Sequence, residues 1–85
     1  MSKFKQFYNT PTPVDEMGGA VEIKERVIDN TAVARLVRLN NLKTQYPYIV
    51  EVARRYSKDG DGDVNYKSQE FKTQQEAERF LSKII

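Results

Sequence analysis

The sequence predicts an α+β fold: a small antiparallel four-stranded sheet with one C-terminal helix packed on one face, in the order β-β-β-β-α, behind an irregular N-terminal arm. Three observations carry this expectation. The chain has 85 residues, room for one domain, since domains cluster near 100–150 residues and few fall below about 50. Between residues 20 and 71, Val, Ile and Tyr alternate with charged residues, and polar or Gly-containing breaks separate the runs. The last dozen residues change to the period of a helix. With 39% hydrophobic and 31% charged residues, the chain is globular rather than disordered.

Residues 1–19 form the arm, and 20–85 the single α+β domain. Pro11 and Pro13 remove backbone donors and push their predecessors toward extended conformations, and Gly18-Gly19 closes an irregular stretch. Phe4, Phe7 and Tyr8 either pack on the domain as a short strand or helical turn, or order on a partner. A domain this size buries only about 60–65% of its unfolded surface and needs its aromatics, which favours packing.

Two periods compete over residues 21–39. Val21, Ile23 and Val27 alternate with Glu22, Lys24 and Arg26, as in a strand. Val33, Val37 and Leu39 fit alternation, whereas Val33, Leu36 and Val37 fit a helix face. Asp29-Asn30-Thr31 serves as a hairpin turn or as a helix cap. A hairpin is the expectation, because Val and Ile are frequent and the break is short and polar. Residues 40–45 then form a loop. Residues 47–57 alternate firmly and give a third strand, residues 58–63 a turn, and residues 64–71 a fourth strand with a bulge before Phe71. Thr73-Gln74-Gln75-Glu76 is a capping box. Ala77, Phe80, Leu81 and Ile84 follow at i, i+3, i+4 and i+7, one apolar stripe that must lie on the sheet.

The composition narrows the chemistry. There is no Cys, His or Trp. A disulfide framework, a thiolate metal site and a His-based catalytic triad are therefore excluded. No spacing singles out a buried carboxylate pair, and no Gly-rich phosphate loop opens a helix. The expectation is a protein that is not an enzyme and uses no cofactor. No apolar run reaches the ~18 residues of a membrane span, and the first residues lack the pattern of a signal peptide. A cytoplasmic protein follows as the expectation.

Three constellations bear on binding. Residues 59–70 resemble a twelve-residue EF-hand calcium loop, with Asp59, Asp61, Asp63, Asn65 and Glu70 at ligand positions. Val64 stands where that loop needs Gly, and a strand precedes it, so a soluble hairpin tip is the competing reading. Arg26, Arg35, Arg38, Arg54, Arg55 and Lys67 form a second set. With Tyr56 or Tyr66 for stacking, they are candidates for one basic sheet face opposite the helix, able to track phosphates or dock a partner. The net charge of only +2 and the interspersed Glu22, Glu25 and Glu51 point instead to an ordinary solvated face. A helix-turn-helix over residues 31–50 fails because Pro47 would break its second helix.

Phe71-Lys72-Thr73 with Glu76-Ala77 resembles the ending of the arm-type DNA-binding domain of phage integrases. That family has three strands and a helix, and its last strand ends in a Phe-x-Thr-x-x-Glu-Ala pattern. The resemblance spans residues 47–85 and implies a strand-strand-helix ending, with sheet residues such as Arg54 and Lys67 entering a nucleic-acid groove. The hairpin tip departs from the family by carrying three Asp residues where basic ones are usual. The residues themselves point first to a small module that docks a protein partner, or a second copy, through a sheet edge, the open sheet face or the arm. The size suits an accessory protein of a phage or mobile element. Nucleic-acid binding is the alternative, and calcium binding at 59–70 a further one.

Overall fold

The computed structural model describes residues 3–8, 12–17, 19–40, 43–55 and 64–84. Four strands, β1 (Ala20–Asp29), β2 (Ala32–Leu39), β3 (Tyr48–Arg55) and β4 (Val64–Phe71), form one antiparallel sheet in sequence order. The helix α3 (Gln74–Lys83) crosses one face. The α+β architecture is therefore the expected one, and the hairpin reading of residues 21–39 holds. The β1–β2 turn is fixed by Asp29, whose Oδ1 accepts from both the amide and the hydroxyl of Thr31 at 2.7 Å.

The arm is more regular than its prolines suggest. It forms two short helices, α1 (Lys3–Phe7) and α2 (Pro13–Met17). Both contact the sheet, α1 on β1 and β2 and α2 on β1. They sit opposite α3, so the face expected to be open is covered. This explains the ambiguous period of residues 32–39. In β2 every residue but Arg38 is buried, and a central strand buried on both faces loses the alternation that marks a half-buried one.

Two further expectations change. β4 carries no bulge before Phe71, since its pairing with β3 runs without a break from Tyr48↔Phe71 to Arg55↔Val64. The irregularities lie in β1 instead, between Glu22 and Lys24 and between Val27 and Asp29. Because of the first, Val21 shares a face with Arg38, whereas Val27 shares one with Val33. The apolar residues of β1 therefore do not form one buried row, and Val21, Ile23 and Val27 are exposed.

The helix α3 begins with the Thr73 half of the expected capping box. Thr73 has extended backbone, and its hydroxyl accepts from the Glu76 amide at 3.2 Å. Ala77 and Leu81 are buried against Ala34, Leu36 and Val50. Phe80 and Ile84, the rest of the stripe, are half-buried at the rim. Phe80 packs on Phe71 with ring centroids 5.2 Å apart.

Candidate functional site

Residues directly opposite each other on paired strands share a face. The register therefore assigns every sheet residue to α3 or to the arm. Arg26, Ala34, Val52 and Lys67 form one row across all four strands on the α3 side. The next row over begins with Glu25, Arg35, Glu51 and Ser68, on the arm side.

The arm side holds the most concentrated polar chemistry. The Arg35 side chain is 6% exposed and that of Glu51 0%, and Arg35 Nε donates to Glu51 Oε1 at 2.6 Å. Nη2 of Arg35 donates to Asp15 Oδ1 at 2.9 Å and, more weakly, to Thr12 Oγ1 at 3.4 Å. Nη1 lies 3.8 Å from Glu22. The ring of Phe4 lies 4.6 Å from the guanidinium carbon. The second oxygen of Glu51 accepts from the Tyr66 hydroxyl, and Tyr66 stacks on Tyr8 at 5.7 Å. Lys5 completes the cluster by pairing with Asp15.

These contacts shift the groups in consistent directions. Burial opposes the charge on Asp15, but Lys5, the Thr12 amide and Arg35 outweigh it and hold the carboxyl well below the usual carboxylate range. Burial likewise opposes the charge on Arg35, and Asp15 and Glu51 raise its pKa despite it. Tyr66 is pushed up, first by burial and then by the hydrogen bond and charge of Glu51, so its hydroxyl stays protonated and donates. A buried carboxylate is tolerable only when paired and hydrogen-bonded, and Glu51 has both.

The same residues build the arm. Thr12 and Asp15 cap α2 reciprocally: the Thr12 hydroxyl accepts from the Asp15 amide at 3.1 Å, and the Asp15 carboxylate accepts from the Thr12 amide at 3.0 Å. Pro13 takes the first helical position, where its missing N–H costs nothing. Glu25 of β1 accepts from the amides of Lys3 and Phe4 at the start of α1. Helices of five residues are far too short to persist alone. Here their exposed amides are tied to Glu25 and Asp15, while Phe4 and Val14 sink into two apolar clusters.

The α3 side is different. Between the end of α3 and strands β3 and β4 lies a groove of about 310 Å³, with Val50 and Val52 in its lining beside Phe80 and Ile84. Arg54 and Lys67 line it as well, and the other lining residues among those described are uncharged.

The six basic residues proposed from sequence therefore do not form one face. Arg26, Arg38, Arg54 and Lys67 lie on the α3 side, while Arg35 and Arg55 lie on the arm side. Strand alternation separates Arg54 from Arg55 by construction. Arg26 is tied to the end of α3, its Nη1 donating to the Leu81 carbonyl at 2.7 Å. Arg38 is exposed. Arg55 lies over the Phe7 ring at 5.0 Å. Of the calcium-loop set, Asp59, Asp61 and Asp63 lie outside the described residues, as does Tyr56. Asn65 and Glu70 lie in β4, paired with Arg54 and Ile49 respectively, which puts them on opposite faces of the strand. Sequence reasoning missed Thr12, Asp15, Glu51 and Tyr66 as a unit. The signal present was Thr12-Pro13-Val14-Asp15, a cap, an N1 proline and an acidic N3 residue in the right order.

Among the described residues, no helix is long and apolar enough to cross a membrane. No protein-family model matches the chain, and neither a curated protein nor a solved structure matches it.

Proposed function

We propose that the chain is a small non-enzymatic binding module that docks a protein partner, or a second copy of itself, along the edge of β1. One observation carries the reading. β1 ends the sheet, and Val21, Ile23 and Val27 on it are 52%, 37% and 53% exposed. Val21 lies on the α3 side and Val27 on the arm side, so this edge strand offers a partner apolar contact on both of its faces. The near-neutral charge suits a protein partner, and the arm's helices, docked on β1 and β2, leave the β1 edge exposed. The two irregularities in β1 resist simple strand addition, so the side chains carry the contact.

The test is a Val21→Lys/Val27→Lys variant. Sedimentation of the chain alone reports self-association, and affinity capture from the source cell reports a partner. Loss of either complex, with an unchanged melting temperature, supports the reading. A variant that keeps the same complexes, or a wild-type chain that forms none, removes it.

A second reading is nucleic-acid binding on the α3 side, favoured by the common placement of Arg26, Arg38, Arg54 and Lys67. Retention on heparin with a clear dependence on salt would support it, and elution at low salt without such a slope would remove it.

A further inference from the structure

The groove between α3 and strands β3 and β4 has no part in the arm clasp or the β1 edge, and β4 lies at the other end of the sheet from β1. We propose that it is a recognition site for an acidic peptide segment of a partner protein, seating one large apolar side chain over Val52 beside Phe80 and Ile84 and a flanking carboxylate against Lys67 and Arg54.

Charge argues for the occupant. Among the described residues, two cations line the groove and no carboxylate does. Arg54 pairs with Asn65, and Lys67 stands two residues further along β4. The two cations are therefore diagonal neighbours on one face, at a backbone separation of roughly 7–8 Å. A single carboxylate bridges side chains of that length and spacing. Arg54 already has an interaction of its own within the fold, so Lys67 is the cleaner cation to change.

Size argues for a side chain rather than a free ligand. A volume of about 310 Å³ sits at the bottom of the ~300–1,000 Å³ range of small-molecule sites, which bury most of their ligand. An apolar patch of this extent holds one anchor residue of a larger partner, the usual unit of peptide recognition. Phe80 and Ile84, only half-buried by the fold, are left to pack on it.

The test is a ¹⁵N–¹H titration with the peptide acetyl-Asp-Glu-Phe-Glu-Asp-amide. Shifts are expected at Val52, Lys67, Gln69 and Phe80. Binding is expected to weaken about fivefold or more in Lys67→Gln, the loss of one charge-assisted contact, and further in Lys67→Glu, which adds like-charge repulsion. A peptide with Ala for Phe, or Lys for the acidic residues, is expected to bind more weakly by a similar factor. The proposal is overturned if millimolar peptide leaves these signals unmoved, if the shifts centre elsewhere, or if the Lys-containing peptide binds as well. Octathymidylate binding the groove more tightly than the acidic peptide would also overturn it, assigning the cations to phosphate. None of these outcomes depends on the β1 edge.

Discussion

The two faces of the sheet are covered by helices of unequal length, and different chemistry buries them. Under α3, a ten-residue helix presents Ala77 and Leu81 to Ala34, Leu36 and Val50, and apolar area dominates, with one hydrogen bond from Arg26 to the Leu81 carbonyl. Under the arm, two five-residue helices offer Phe4 and Val14 as the buried apolar residues among the side chains described. The polar part of that interface centres on Arg35 set among Glu51, Asp15 and Thr12, with Tyr66 closing the far side of Glu51 and Glu25 holding the amides of α1. A short helix has too small a stripe to hold itself down and too many unpaired amides to be buried unaided. Polar partners on the sheet solve both difficulties, and the cost is sensitivity to any single loss among them.

That contrast sets the order of expected effects. Arg35→Ala should be the most damaging, about 3–5 kcal/mol, because it strands the buried Glu51 carboxylate. Urea unfolding measures it, and the double change Arg35→Met/Glu51→Leu should recover much of the loss. On the other face, Leu81→Ala should cost about 2–4 kcal/mol. Phe80→Ala should cost only about 1–2 kcal/mol, since half-burial forfeits part of the transfer term. Equal losses at the two positions would contradict the placement of Phe80 at the rim.

Next comes Asp15→Asn, at about 1–2 kcal/mol near neutral pH for the weakened charge-assisted bonds. The folded-state pKa of Asp15 is lowered. Its contribution is therefore present above the ordinary carboxylate range, about pH 4, and is lost as pH falls below that toward the folded value. The melting difference between wild type and variant should shrink across that acid window, and a constant difference would contradict the ion pair. The smallest effect concerns calcium. With Asn65 and Glu70 on opposite faces of β4, excess calcium should leave the melting temperature unchanged.

The α3 face was legible in the sequence because its signals are local: a capping box and a stripe within twelve residues. The third and fourth strands were legible for the same reason. The arm face was not. Arg35 meets Glu51 and Asp15 across 16 and 20 residues of chain, and no pattern in either neighbourhood announces the pairing. The apolar run of β2 carries information only once both faces are known to be covered. The basic set misled because it was gathered by charge, whereas Arg54 and Arg55 are parted by the pleat itself. Thr12 to Asp15 was readable and was obscured by Pro11 before it and Pro13 within it, the second of which opens α2.

Whether the arm is part of the folded core is decided most directly by denaturant unfolding of Phe4→Ala. Phe4 is fully buried against the sheet under Arg35. A docked arm gives a loss of about 3–5 kcal/mol in one cooperative transition, and a midpoint near that of the wild type contradicts it.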